Sequence, residues 1–132
     1  MAGRVLVDTS AWIDALRRDG DPEIRASVRA ATAEGRAVLC DLVLLELWNG
    51  ARGASEQRIL RDLERDLEKV PTPPAVWDAA CELARNCRKA GISVPATDVL
   101  IAACAEHHRL DILHRDSHFD HVARIRRATR EN

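Results

Sequence analysis

Four acidic residues stand where a carboxylate could take part in chemistry. Asp8 follows directly after the apolar segment RVLV, and Asp116 comes three residues after Leu113, so both follow predicted strands. Asp98 opens the helical segment TDVLIAACAEHH, and Glu46 lies inside the apolar segment LVLLELW. Because ligands of an open parallel sheet bind beyond the carboxyl ends of its strands, Asp8 and Asp116 lie at the expected location of a site.

Each acid also has a structural explanation when it is taken alone. Asp8 could be a helix N-cap, and Asp98 could simply interact favourably with the dipole of its helix. Glu46 lies on a helix that is apolar nearly all round, which predicts burial, and a buried carboxylate needs a partner. That partner could be a metal ion, a protonated neighbour, or an arginine such as Arg52 in a structural ion pair.

Taken together, the four acids predict a metal site if they converge. Crowded carboxylates repel one another, and their pKa values rise unless a cation neutralises them. Ligation by oxygen alone suits Mg²⁺ or Mn²⁺. Sites of this kind commonly hydrolyse phosphodiester bonds with metal-activated water.

Short apolar segments alternate with helical ones along the chain. This alternation predicts an α/β domain, a short parallel sheet covered by helices on both faces. Strands are predicted at 4–7, 37–40, 69–70 and 110–113. Helices are predicted at 11–18, 23–33, 42–50, 55–67, 75–90 and 97–108, with Thr97 as the N-cap of the last.

The composition predicts a single folded domain. The 132 residues are 46% hydrophobic and 31% charged, which is typical of a folded chain. The core is predicted over about 4–122, followed by a solvated basic tail at 123–132. The formal net charge of −1 neither favours nor excludes a nucleic-acid partner.

The same reading predicts a cytoplasmic protein with no membrane partner. No apolar run approaches the ~18 residues of a membrane span, and the first ten residues lack the features of a signal peptide. The four cysteines occur in apolar or helical contexts, so they are expected to be small buried side chains without disulfides or zinc.

Four segments of the chain together resemble the PIN-domain ribonucleases, in particular the VapC-type toxins of bacterial toxin–antitoxin pairs. They are VDTSAWID, LELWNGAR, ATDVLIAACA and ILHRDSHFD, in the family's order and spacing over about 4–122. The resemblance implies an α/β fold, a homodimer, and Mg²⁺- or Mn²⁺-dependent endoribonuclease activity that a cognate antitoxin inhibits. It carries the family's four catalytic, metal-binding acids onto Asp8, Glu46, Asp98 and Asp116.

The resemblance also implies supporting roles. Thr9 and Ser10 match hydroxyl positions that support the first acid. The three aspartates would hold one or two divalent ions, and Glu46 would either ligate or orient and deprotonate the attacking water. Arg52 and Arg115 are the candidates for contacting RNA, with acid-positioning salt bridges as the alternative for both.

The sequence departs from the family pattern around Asp116. His114 stands where the family often has Thr or Ser, and His118 stands where it frequently has a further Asp. The number of metal ions and the role of the fourth acid are therefore open. A zinc-like face of His114, His118 and His121 would need helical geometry, whereas these residues bracket a predicted turn.

A non-catalytic alternative also stays open. A degenerate PIN-type module would bind RNA or a protein without cutting it. The complete set of acids favours the enzyme, and metal binding discriminates between the two hypotheses.

Overall fold

The structure, a computed structural model, describes residues 3–131, with side chains described as far as residue 128. The strands in this range are β1 (Val5–Val7), β2 (Ala37–Cys40), β3 (Glu68–Val70) and β4 (Asp111–Leu113). The helices are α1 (Thr9–Leu16), α2 (Pro22–Ala33), α3 (Asp41–Gly50), α4 (Gly53–Asp66), α5 (Pro74–Lys89), α6 (Ala96–His107) and α7 (Ser117–Glu131). No helix in the described range is long and apolar enough to cross a bilayer.

The strands form one parallel sheet in the order β3-β2-β1-β4. The register places Val7 at the end of β1 opposite Leu113 at the end of β4. Since all the strands are parallel, their carboxyl ends meet at one edge of the sheet. The segments that carry Asp8 and Asp116 therefore leave the sheet side by side.

Helices cover both faces of the sheet. Val38 and Leu39 are consecutive residues of β2, and each is only 1% exposed. Successive side chains of a strand point to opposite faces, so burial of both requires cover on both sides. The predicted class, an α/β domain around a short parallel sheet, is confirmed.

The start of α6 differs from the sequence prediction. Pro95, rather than Thr97, occupies the N-cap position, and no side chain caps the helix there. Proline suits this place because it has no N–H to leave unsatisfied and its φ is already fixed. Asp98 remains in the first turn, as predicted.

The basic C-terminal segment belongs to a helix, and most of its described residues between 123 and 128 are exposed. Phe119, Val122 and Ile125 recur every three residues along α7, and all three are buried in the core. Because Ile125 belongs to this stripe, the packed core extends beyond the predicted limit at residue 122. The arginines of the segment lie on a helix that is anchored by its apolar face.

One cysteine departs from the prediction that all are buried. Cys40, Cys87 and Cys104 are buried, but Cys81 is exposed on α5. That helix is amphipathic, with Leu83 and Cys87 facing the core, and Cys81 falls on its outer side.

Candidate active site

Asp8 and Asp116 lie where the sheet ends. The backbone N–H of Asp8 donates to the carbonyl of Leu113 at 2.9 Å, which extends the pairing of β1 and β4 by one residue. Asp8 is also the N-cap of α1, and its Oδ2 accepts from the backbone N–H of Ser10 at 3.0 Å and from Ser10 Oγ at 2.7 Å. Asp8 is only 3% exposed. These two hydrogen bonds therefore both fix its carboxylate and compensate in part for its burial.

Glu46 approaches this edge from α3. Its Oε1 accepts from Thr9 Oγ1 at 2.9 Å, so α1 and α3 are tied together beside Asp8. The pKa of Glu46 is raised because burial disfavours the charged form and the charge of Asp8 adds to this, while the bond from Thr9 opposes the rise.

The surroundings of Glu46 correct one expectation. The residue is half-buried rather than buried, and α3 is not covered all round, since Leu45 is 64% exposed. An apolar sequence around the whole helix therefore does not imply burial of the whole helix. Arg52, the predicted structural partner of Glu46, forms no ion pair with it among the described side chains.

Asp98 is held in the first turn of α6, with 8% of its surface exposed. Its pKa is raised to about 6, chiefly because burial penalises the charged form. The hydrogen bond to His118 opposes this shift, and the charges of Asp116 and Asp8 reinforce it. The structure thus brings the four predicted acids into one electrostatic neighbourhood, since Asp8 acts on both Glu46 and Asp98.

Asp116 and His118 complete this neighbourhood from the start of α7. Oδ1 of Asp116 accepts from the backbone N–H of His118 at 2.9 Å. The ring Nδ1 of His118 lies 2.8 Å from Asp98 Oδ2 and 2.8 Å from Asp116 Oδ1. The pKa of His118 is raised, because its bond with Asp98 and the negative charges of both aspartates outweigh the lowering that burial alone would cause.

The three-histidine zinc site is not assembled among the described residues. There the group whose donor atoms could hold one ion is Asp98, Asp116 and His118, with all three atoms within 4.8 Å of one another. His114 instead accepts the backbone N–H of Asp116 at its Nδ1, at 3.2 Å. His121 lies one turn further along α7.

Sequence reasoning missed an acid that braces the site. Asp14 on α1 is 8% exposed, and its two carboxylate oxygens accept from Arg115 Nη1 at 2.9 and 3.1 Å. The backbone N–H of Arg115 also donates to Ser10 Oγ at 3.0 Å. A charged residue on the short apolar segment AWIDAL was a signal of Asp14's role, but nothing local pointed to a partner 101 residues away.

The two arginine candidates for RNA contact differ in their surroundings. The guanidinium of Arg115 is engaged by Asp14, so it forms an acid-positioning salt bridge, although with a different acid from the four predicted ones. Arg52 lies with Glu46 in the lining of a groove of about 350 Å³ between α1, α3 and α4.

The donor chemistry fits a hard or borderline divalent cation. Within the described side chains, none of the four acids forms an ion pair with Arg or Lys, and only Asp98 and Asp116 have a histidine, His118, beside them. Carboxylates that are buried together without a cation carry an electrostatic cost. A divalent ion held between them would remove that cost, and oxygen donors are the ligands that Mg²⁺ and Mn²⁺ favour.

Comparison with known proteins identifies the family of the chain. The PIN domain family matches residues 5–125. The ribonuclease VapC21 of Mycobacterium tuberculosis is 35% identical over 96% of this chain and 91% of its own, and ribonuclease VapC11 of the same species is 34% identical over 92% of each. The structure of VapBC2 from Rickettsia felis bound to a DNA fragment from their promoter superposes with a TM-score of 0.73 at 16% identity, over 89% of this chain and 92% of that one. The chain therefore belongs to the PIN domain family and, within it, to the VapC group.

Proposed function

We propose that the protein is a divalent-metal-dependent endoribonuclease and the toxin of a type II toxin–antitoxin pair. The observation that carries the proposal is the cluster of Asp8, Glu46, Asp98 and Asp116 at the carboxyl edge of a PIN-family sheet, without Arg or Lys pairs among the described side chains. That relatives at 34–35% identity are named ribonucleases supports RNA as the substrate. Action on cellular RNA would place the protein in the cytoplasm.

The three aspartates would hold the metal, Mg²⁺ or Mn²⁺. Ser10 fixes the carboxylate of Asp8, the first turn of α6 fixes Asp98, and the N–H of His118 fixes Asp116. When bound, the ion would supply positive charge at the scissile phosphate and would acidify water near it.

Glu46 is suited to accept the proton of the attacking water. Thr9 holds its Oε1, and no hydrogen bond from a described residue engages Oε2, which could receive a proton without a change of rotamer. Its raised pKa makes it a stronger base than an ordinary glutamate. Ligation of the metal by the same carboxylate is the second role that the geometry allows.

The groove beside Glu46 supports a site for the antitoxin. Ile13, Leu16 and Ile59 are 37, 46 and 40% exposed, and all three line it together with Glu46. Exposed apolar side chains gathered in one groove are typical of a protein-binding surface. A segment of the antitoxin with apolar side chains, docked there, would cover Glu46 and so block the site.

We propose a homodimer, as the family resemblance implies. Leu45 and Trp77 are exposed apolar side chains outside the groove, 64 and 55% exposed, and are available for such contact. Light scattering of the purified protein measures its mass, and a monomer at micromolar concentration would contradict the dimer.

Arg52 remains the candidate for holding RNA next to Glu46.

Cleavage of total bacterial RNA tests the enzymatic proposal. Wild type, Asp8→Asn and the surface control Asp78→Asn are each incubated with Mg²⁺, Mn²⁺ or EDTA. We expect cleavage by wild type and Asp78→Asn that requires metal, and none by Asp8→Asn, which keeps the shape of the side chain and removes its charge. Equal cleavage by all three proteins would indicate a contaminating nuclease.

A non-catalytic module would give a different result in the same experiment. It would leave the RNA intact in every lane and would bind no metal in calorimetry. Cleavage that depends on the metal and on Asp8 excludes it.

A further inference from the structure

His118 lies between two acids of the cluster, Asp98 and Asp116. Its Nδ1 is 2.8 Å from one oxygen of Asp98 and 2.8 Å from one oxygen of Asp116. The two aspartates come from different helices, α6 and α7, and the imidazole bridges them. The side chain is 34% exposed, so the position is open to ions from solution.

The spacing of these three atoms is that of ligands around one ion. Two donors that each lie ~2.1 Å from a metal are about 3.0 Å apart when adjacent and about 4.2 Å apart when opposite. The distances from Nδ1 to the two oxygens match the adjacent arrangement, and the whole set lies within 4.8 Å. Without the ion, Nδ1 is placed to share a proton with these two oxygens. An ion placed between the two carboxylates would take the place of that proton, and the Nδ1 lone pair would then face the ion with little movement of the ring.

The local fold holds the histidine in this orientation. His118 is in the first turn of α7, where its backbone N–H is tied to Asp116 Oδ1. Phe119, the next residue, is buried and anchors that turn to the core. A side chain that is fixed from both sides loses little freedom when it coordinates a metal, which favours ligation.

We infer that His118 Nδ1 is a direct ligand of the divalent ion held by Asp98 and Asp116, and that it shifts the preference of the site from Mg²⁺ towards Mn²⁺. The inference rests on the proposed metal-dependent function. Imidazole nitrogen binds transition-metal ions well and Mg²⁺ poorly, whereas carboxylates serve both. A carboxylate at the same position would add negative charge and would favour the harder ion.

The direct test is pulsed electron paramagnetic resonance of the protein loaded with Mn²⁺. A coordinated imidazole gives a nitrogen modulation that changes when the histidines are labelled with ¹⁵N. We expect this signal in wild type and in His107→Ala, which removes an exposed histidine at the far end of α6. We expect its loss in His118→Ala and His118→Asp.

Affinities provide the second readout. The dissociation constant for Mn²⁺ is expected to rise about 10- to 100-fold in His118→Ala. In His118→Asp the ratio of Mg²⁺ to Mn²⁺ dissociation constants is expected to fall about tenfold, because an oxygen donor replaces nitrogen. The ¹⁵N experiment on wild type needs no variant, so it remains decisive even if a substitution prevents folding.

The possible failures are distinguishable. Bound Mn²⁺ without nitrogen modulation, in a protein that still cleaves RNA with metal, overturns the inference and leaves the proposed function standing. Modulation that persists in His118→Ala also overturns it, because another histidine must then be the ligand. Wild type that binds Mg²⁺ but no Mn²⁺ overturns the inference alone, and wild type that binds neither ion overturns both.

Discussion

The ion pair between Asp14 and Arg115 is expected to stabilise the fold and to position the site. Asp14 belongs to α1, which Asp8 caps, and Arg115 immediately precedes Asp116. The pair is asymmetric, since the Asp14 side chain is 11% exposed and the Arg115 side chain 56%. Asp14 Oδ1 also accepts the backbone N–H of Asp21 at 3.3 Å, so the carboxylate closes the turn after α1 as well.

The magnitude follows from this half-buried geometry. Exposed pairs contribute up to about 1 kcal/mol, and breaking a fully buried pair costs about 3–5 kcal/mol. We therefore expect a coupling energy of about 1–2 kcal/mol between Asp14 and Arg115. Arg115→Ala alone should lower the free energy of unfolding by roughly 1–3 kcal/mol, because it leaves a buried carboxylate with one weak donor.

A double-mutant cycle measures the coupling. Wild type, Asp14→Ala, Arg115→Ala and the double variant are unfolded with urea in EDTA, so that metal binding does not contribute. For a chain of this length, 1 kcal/mol corresponds to roughly 3–5 °C in the melting temperature. Additive effects within about 0.5 kcal/mol would refute the reasoning, because the two residues would then act independently.

The same pair is expected to affect the chemistry through position. The backbone N–H of Arg115 donates to Ser10 Oγ, which in turn donates to Asp8. A displacement of the segment that carries Arg115 would therefore disturb both Asp8 and the adjacent Asp116. Asp14→Asn should weaken metal affinity about tenfold or more, and Arg115→Lys should restore part of what Arg115→Ala loses. Unchanged metal affinity in Asp14→Asn would restrict the pair to a stabilising role.

Three further outcomes test the electrostatics of the site. In EDTA, Asp98→Asn should be more stable than wild type at pH 7 by roughly 1–3 kcal/mol. The pKa of Asp98 is about 6 in the folded protein, against an ordinary value of 3.8. The folded state therefore binds this proton more tightly than the unfolded state does, and the stability of wild type falls as pH rises from 4 to 6. Thermal melts should show this advantage disappearing near pH 4, and a constant difference would contradict the argument. Thr9→Val should raise the pKa of Glu46 further and move the acidic limb of the pH–rate profile of RNA cleavage to higher pH, whereas Thr9→Ser should not. Ser10→Ala should weaken Mn²⁺ binding about 10- to 100-fold in calorimetry, and an unchanged affinity would show that the cap on Asp8 is dispensable.

The elements of the fold were predictable where the signal is local. Buried strands such as β2 are short apolar runs, and helices begin or end at residues such as Pro22 and Gly35, whose φ of +72° favours glycine. The strand order was not predictable, because it depends on which crossovers pack together rather than on any one segment. The apolar stripe of α7 was visible in the sequence at three-residue spacing, but the basic residues around it outweighed it in the composition.

The residues of the site, like the elements of the fold, were predictable where the signal is local and not where it depends on distant contacts. The acids after β1 and β4 could be identified because parallel strands bring their carboxyl ends to one edge, whatever the order of the remaining strands. The side chains that support the acids are of two kinds. Thr9 and Ser10 are adjacent to Asp8 in sequence, and the motif that contains Asp8 contains them too. The pairing of Asp14 with Arg115 joins opposite ends of the chain, and no local pattern encodes it.

The energetics explain why such supports surround the acids. Burial raises the pKa of both Glu46 and Asp98. Without a bound cation, the ionised cluster therefore lowers the free energy of unfolding. In the metal-free protein, hydrogen bonds from hydroxyl groups and the imidazole of His118 take over part of the compensation. A metal ion that binds there stabilises the folded state by relieving the same repulsion. The residues next to the acids therefore determine how stable the metal-free site is. His118, which contacts two of the acids, would on our proposal also determine which ion stabilises the site best.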